Sequence, residues 1–244
     1  MEVISSLHNE KIKNLSKLLE KKYRDIEGKF LVEGEHLVEE AYKAGLLLEV
    51  IKCEDVLGDY EVPTSLVTYE VIKKLSNTIN PQRIIGVVKK VEEKKLGNKV
   101  LIIDDIQDPG NLGTIIRSSL AFKIDSIVLS NNSVDVYNDK VIRSSEGMFF
   151  HINVVRKDIS SVINELHNNG YRIYGTKVDG GVPVDKITIT DKYAIIMGNE
   201  GNGVKKDILD LCDEYIYINM DNKVESLNVG VATSIILYEF NKRG

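Results

Sequence analysis

The stretch Asp104–Ser119, DDIQDPGNLGTIIRSS, decides how the rest of the chain is read. An apolar strand, VLIIDDI (Val100–Ile106), runs into Asp108-Pro109-Gly110-Asn111, which has turn chemistry. NLGTIIRSSLAF (Asn111–Phe122) then reads as a helix with Asn111 as its N-cap. Arg117 falls six residues on, among Ile115, Ile116, Leu120, Ala121 and Phe122. A surface arginine whose stem covers apolar neighbours is the plain reading of that position.

Outward from this stretch the pattern alternates. DSIVLS (125–130) reads as a strand, DVYNDKVIRSSEGMFF (135–150) as a helix, HINVVR (151–156) as extended, and ISSVINELHNNG (159–170) as a helix stopped by Gly170. YRIYGTKV (171–178), YAIIMGNE (193–200) and EYIYINM (214–220) read as strands, with a helix GVKKDILDLC (203–212) before the last. The final helix is SLNVGVATSIILYEFNKR (226–243). Strand–helix alternation of this kind implies an α/β fold, a parallel sheet with helices on both faces.

Before it stands a smaller α/β module. A helix spans residues 8–24, followed by strand KFLVEG (29–34), helix EHLVEEAYKAG (35–45), strand LLLEVIKC (46–53), helix TYEVIKKLSNT (68–78) and strand QRIIGVVKKV (82–91). The charged segment Lys89–Lys99 reads as the linker, giving domains at 1–92 and 100–244 with 93–99 between them.

Composition bounds the function. In 244 residues, 43% are hydrophobic and 28% charged, as expected for a soluble globular protein with a substantial core. No apolar run reaches the roughly 20 residues that a membrane-spanning helix needs, and MEVISSLHNEKIKNLSK has no signal-peptide core. Cys53 and Cys212 stand far apart and near no paired histidines, so neither a metal site nor a disulfide framework is expected, and a reducing cytoplasm is the default. The net charge of −5 argues against nucleic acid, yet residues 8–29 carry seven Lys/Arg against four Asp/Glu, a local +3.

Two further loops are unusually polar at predicted strand ends. IIMGNEGNGV (195–204) has three glycines in six residues, and Glu200 among them has no evident structural duty. The spacing matches neither GxGxxG nor GxxxxGK[ST]. In YIYINMDNKVESLNVGVATS (215–234), Ser226 is placed to cap the last helix and Asn228 to lie in its first turn. That helix is apolar nearly all round, so it must be buried on every side, which points to a partner subunit.

Together, DPGNLGTIIRSS, IIMGNEGNGV and ESLNVGVATSIILYEF resemble the three ordered motifs of the SpoU (TrmH-type) RNA 2′-O-ribose methyltransferases of the SPOUT superfamily. FLVEGEHLVEEAYKAG (30–45) resembles the small substrate-binding domain, similar to ribosomal protein L30e, that precedes many such catalytic domains. The resemblance implies a parallel sheet ending in a trefoil knot, S-adenosyl-L-methionine held bent in the knot loops, and a homodimer with the active site near its interface. It implies catalytic roles for Asn111, Arg117, Glu200, Ser226 and Asn228. It implies a cofactor pocket at Thr176, Gly198, Ile218 and Leu227, with Gly175, Met197 and Met220 nearby.

The substrate class it implies is RNA, with a ribose of 23S ribosomal RNA ahead of tRNA; no metal is called for. Arg143, Ser145, Gly147 and Phe150 resemble the family's R-x-S-x-G-x-x-F element. Lys123 stands where many members have glycine, and Asn153 where they have proline. RNA affinity is expected from Lys11, Lys13, Lys17, Lys21, Lys22 and Arg24. An idle RNA-binding protein on the same scaffold is the competing reading, and a nucleotide-dependent oxidoreductase a third; the intact motifs stand against the former and the missing dinucleotide fingerprint against the latter.

Overall fold

Asn9 starts the first helix, α1 (Glu10–Lys17), by accepting the Lys11 amide on its side chain. The helix expected over 8–24 breaks at Leu18–Glu20 and restarts as α2 (Lys21–Glu27). The physical reason is Arg24. Its guanidinium is buried and donates to the Leu18 and Leu19 carbonyls at 3.0 and 2.8 Å, satisfying acceptors that the end of α1 leaves open. Arg24 is thereby committed to the fold.

The computed structural model describes residues 3–178 and 180–243. After α2 come β1 (Lys29–Glu33), α3 (Glu35–Lys43), β2 (Leu47–Lys52), β3 (Thr64–Leu66), α4 (Tyr69–Lys74) and β4 (Ile84–Lys89). The sheet order is β1-β4-β2-β3, with β4 antiparallel to β1 and β2, and β3 parallel to β2. Three-residue β3 has no sequence signal, because so short a strand shows no period.

The remaining elements are β5 (Lys99–Ile103), α5 (Pro109–Ala121), β6 (Ser126–Leu129), α6 (Asp139–Ser144), β7 (Asn153–Arg156), α7 (Ile159–Asn168), β8 (Arg172–Thr176), β9 (Val182–Pro183), β10 (Tyr193–Met197), α8 (Lys206–Leu209), β11 (Glu214–Tyr217) and α9 (Val229–Arg243). Seven strands form one sheet in the order β7-β6-β5-β10-β8-β11-β9, every pairing parallel. Each residue of β10 is buried, as a strand covered on both faces requires. One face packs Val100, Ile102, Val128, Ile173 and Ile196 under Val162, Ile163 and Leu166 of α7.

Chain order reverses at β5, which has β6 on one side and β10 on the other. Ile103 pairs with Met197, so the loops leaving β5 and β10 depart side by side. In open parallel sheets, ligands bind where the chain makes that switch.

The structure divides into two units, Met1–Glu92 with Tyr137–Phe150, and Glu93–Val136 with His151–Gly244. Residues 137–150 were expected within the second domain and instead pack with the first. The cause is aromatic: Phe30 has Tyr137 at 5.0 Å and Phe149 at 5.9 Å between ring centroids. The single helix expected there is only α6; Glu146 and Gly147 turn through positive φ into a 3-10 turn, Met148–His151.

Both departures from the resembled pattern have local explanations. Lys123 sits at φ +60, just past α5, where Ile124 N–H returns to the Ser119 carbonyl at 2.9 Å; this is the left-handed helix stop that glycine fills without strain. Asn153 clamps the linker, accepting Lys94 N–H at 2.9 Å and donating to the Lys94 carbonyl at 3.0 Å, which proline cannot do. No helix among the described residues is long and apolar enough to cross a membrane.

In urea denaturation, Lys123→Gly is expected to raise stability by about 1 kcal/mol. Asn153→Ala is expected to lower it by about 1–2 kcal/mol.

Candidate active site

β10 ends at Met197, and Gly198 follows. A Cβ at Gly198 would lie 2.0 Å from the Gly203 carbonyl carbon and 2.1 Å from the Val204 nitrogen, so only glycine lets the chain fold back here. Asn199 and Gly203 then exchange two backbone hydrogen bonds of 3.0 Å. The Asn199 Oδ1 accepts Gly201 N–H at 2.9 Å, and its Nδ2 donates to the Asp105 carbonyl at 2.8 Å. The glycine-rich segment is therefore a closed, internally bonded turn tied to the loop after β5.

Glu200 projects from that turn onto the N-terminus of α5. Its carboxylate accepts Asp108 N–H and Asn111 Nδ2–H at 3.2 Å each, and Gln107 N–H at 3.4 Å. Partial burial pushes its pKa up, but its own backbone N–H, Asn111, Asp108 and Gln107 outweigh that and hold the carboxyl below the ordinary glutamate value. Helix α5 begins one turn earlier than the sequence pattern implied. Asp108 is its N-cap, accepting Asn111 N–H at 2.8 Å, and Pro109 opens the first turn with its φ already fixed.

Asn111 is thus not the cap but a first-turn residue whose amide side chain is available to the other loops. Glu200 offers only acceptors, which turns Asn111 Nδ2 toward it and Oδ1 away. That Oδ1 accepts from Asn228 Nδ2 at 2.9 Å. Asn228 has its own orientation fixed, because its Oδ1 caps α9 by accepting Gly230 and Val231 N–H at 2.9 and 3.2 Å. Asn228, not Ser226, is the cap of the last helix. One residue from each of the three polar loops joins a single chain of hydrogen bonds, Glu200–Asn111–Asn228.

Beside Glu200 opens a cavity of about 450 Å³. Thr176, Met197, Gly198 and Glu200 line it from the ends of β8 and β10, and Ile218, Met220, Ser226 and Leu227 from the segment between β11 and α9. Val204, Leu209 and Ile236 add apolar floor. Thr176 donates its hydroxyl to the Ile196 carbonyl at 2.8 Å.

Four predicted residues do not line this space. Asn111 and Asn228 reach it only through Glu200. Gly175 lies behind the wall: a Cβ there would come 2.8 Å from Cys212 Sγ and 3.0 Å from Leu209 Cδ2, so it is a packing glycine. Burial in the same place pushes the Cys212 thiol up to about 12, leaving it un-ionised. Arg117 is exposed on α5, and among the described residues it makes no hydrogen bond or ion pair. Next to it Ser118 bonds Ser234 of α9 at 2.7 Å, and Phe122 meets Tyr238 edge-on at 5.9 Å.

Within this chain α9 is covered on part of its surface: Val229, Thr233, Ile236, Leu237 and Phe240 are buried, and Val231 and Tyr238 are about half exposed. Sequence reading missed Asn199, Asp105 and Lys205, which hold the turn in place. The available signal was an asparagine opening a glycine-rich turn.

Size and lining fit a nucleoside-bearing small molecule: an apolar floor, backbone accessible at Gly198, and a few polar groups on the rim. Residues 98–238 match the SpoU rRNA Methylase family, and residues 9–86 match the MRM3-like substrate binding domain. The chain belongs to the SpoU rRNA methylase family, and its α/β fold with a large parallel sheet is the fold of that family. Among its relatives is RlmP of Bacillus subtilis (strain 168), a 23S rRNA (guanosine(2553)-2′-O)-methyltransferase, 39% identical over 98% of each chain. A crystal structure of an RNA 2′-O ribose methyltransferase superposes with TM-score 0.85 at 28% identity, over 99% of both chains. An AdoMet-bound rRNA methyltransferase from Sinorhizobium meliloti gives 0.86 at 25% identity, over 99% of this chain and 97% of that one.

Glu200→Gln exchanges two acceptor oxygens for one and puts a donor against N–H groups. It is expected to destabilise the second unit at neutral pH. A carboxyl with a depressed folded pKa contributes stability that is complete above the unfolded value, near 4.5, and is lost as pH falls through the lower folded value. The gap between wild type and Glu200→Gln should therefore be full at pH 7 and shrink below about pH 4.5 in urea denaturation followed across pH.

Proposed function

We propose that this chain is a cytoplasmic enzyme that transfers a methyl group from S-adenosylmethionine to the 2′-hydroxyl of a ribose in 23S ribosomal RNA. The observation that carries this reading is the Glu200–Asn111–Asn228 hydrogen-bonded chain on the rim of the cavity, in a member of the SpoU family whose relative RlmP acts on 23S rRNA. Bound adenosylmethionine supplies an electrophilic methyl, so the protein's task is to align an acceptor oxygen and manage its proton.

Thr176, Met197, Gly198, Ile218, Met220 and Leu227 are the proposed cofactor pocket; Gly175 supports its wall from behind. Glu200, fully engaged by donors, acts as a fixed acceptor that orients Asn111 rather than as a proton carrier. Asn111 and Asn228 in turn present a rigid polar edge to the substrate, with Ser226 beside the cavity. Arg117 supplies a planar guanidinium that grips the neighbouring phosphate and stabilises developing charge. It does not take the proton, because guanidinium stays charged in proteins; the proton leaves to phosphate or water.

Arg117 lies outside its own chain's cavity lining, on a face where Val231 and Tyr238 are half exposed. Both facts support a homodimer in which α5 and α9 are covered by a second copy and Arg117 serves the site at that interface. The trefoil threading implied by the family resemblance is part of the same reading.

RNA affinity is assigned to the first unit, but to fewer lysines than the sequence implied. Lys11 is paired with Glu49, Lys21 with Asp25, and Arg24 is buried. Lys13, Lys17 and Lys22 remain, the last two standing 5.9 and 5.7 Å from the Tyr23 ring centroid.

Calorimetry should detect adenosylmethionine binding, and labelled methyl should pass to 23S rRNA but not to tRNA, with the position mapped by primer extension. Arg117→Lys is expected to lower turnover about a hundredfold with cofactor affinity unchanged, since charge survives but alignment does not. Full turnover with normal RNA affinity would remove the positioning role. Lys17→Glu with Lys22→Glu should weaken RNA binding and flatten its salt dependence by roughly two units of slope, leaving cofactor affinity alone.

A further inference from the structure

Lys205 neither lines the cavity nor belongs to the Glu200–Asn111–Asn228 chain, yet its ammonium is held by two carboxylates. Its backbone N–H donates to Asp104 Oδ2 at 3.1 Å, and its ammonium reaches Asp104 Oδ1 at 3.2 Å and Asp105 Oδ2. Asp104 is 1% exposed and directly follows β5, so it is an anchor that does not move. Asp105 stands at φ +56, a conformation that costs a non-glycine residue energy and persists only where its surroundings fix it. They do so here: its N–H donates to Ser130 Oγ at 2.9 Å, and its Oδ1 accepts the Ser130 hydroxyl at 2.8 Å.

Asp105 also holds the other end of the turn. The Asp105 carbonyl accepts Asn199 Nδ2 at 2.8 Å. The segment from Asn199 to Lys205 is therefore fastened at its first residue by an amide and at its last by an ammonium, both onto Asp104–Asp105. Between the fastenings the turn is closed on itself by the Asn199–Gly203 pair, so it is tied together as one body. Glu200 rides on that body, and Gly198 is its hinge to β10.

We propose that Lys205 is a positioning residue, a latch that ties the turn after β10 to the loop after β5 and so sets where Glu200 and Gly198 stand at the cavity. The latch is a property of the ligand-free chain; only its effect on adenosylmethionine affinity rests on the methyltransferase reading. Removing the ammonium leaves that end of the turn held only by the Lys205 backbone N–H on Asp104 while the Asn199 end stays fixed, and Glu200 then samples positions that no longer meet Asn111.

Amide hydrogen exchange on the full-length, ligand-free protein tests it. In Lys205→Met, which keeps length and loses charge, exchange at Gly201–Gly203 is expected to rise about tenfold, with β5 and β10 unchanged. Asp105→Gly keeps a residue suited to positive φ and removes the other partner; it should give the same rise, and the double variant no more than either single one. Lys205→Arg should restore wild-type exchange. Lys206→Met, which breaks the adjacent pair with Asp210, should change nothing at the turn. Adenosylmethionine affinity, by calorimetry, should fall about tenfold in Lys205→Met and Asp105→Gly and recover in Lys205→Arg.

Wild-type exchange at the turn in Lys205→Met would overturn the latch. So would a rise of equal size in β5 and β10, which marks general destabilisation, or full additivity in the double variant. If the wild-type chain binds no adenosylmethionine, the methyltransferase reading falls, and the exchange data still decide the latch.

Discussion

The missing side chain at Gly198 is the constraint on which the site depends. With an atom placed where Cβ belongs, the chain cannot pass Gly203 and Val204, and the turn after β10 cannot close. That closure puts Glu200 on the N-terminus of α5, where backbone donors and the helix dipole favour a negative charge. The parallel register of β5 and β10 brings the two loops together; the glycine brings them into contact. Everything farther out follows, since Asn111 is oriented by Glu200 and Asn228 by the need to cap α9. No member of the set is free to choose its hydrogen-bond sense.

The parallel sheet, the three loops and the residues that join them, Glu200, Asn111 and Asn228, were legible because each leaves a local mark: an apolar run, a glycine cluster, an asparagine before a helix. What escaped was decided by partners distant in the chain. Nothing near Arg24 says that its guanidinium will turn back onto the Leu18 and Leu19 carbonyls and split one helix into two. The caps lie three residues before the expected one at α5 and two residues after it at α9, because Asp108, Asn111, Ser226 and Asn228 are all competent caps and only the fold selects. Lys205 reads as an ordinary surface lysine until Asp104 and Asp105 are beside it. Gly175 and Gly198 look alike in sequence, yet one makes room for Cys212 and the other for its own backbone.

Charge gives a similar lesson. The net value of −5 and the local excess over residues 8–29 point in opposite directions. The structure resolves part of the excess by pairing or burying three of its cations, and a fourth, Lys29, lies half-buried in β1. A small set of unpaired lysines around a tyrosine ring is a modest electrostatic surface.

The chain crosses between its two units three times, because Tyr137–Phe150 returns to the first after the second has begun. During synthesis the first unit therefore leaves the ribosome without Tyr137, Phe149 and Phe150, and Phe30 has none of these rings to pack against. Its core is completed only once β5, α5 and β6 have also emerged. Maturation of the leading unit thus waits on a segment made much later, so it cannot be finished as a bead before the next is begun.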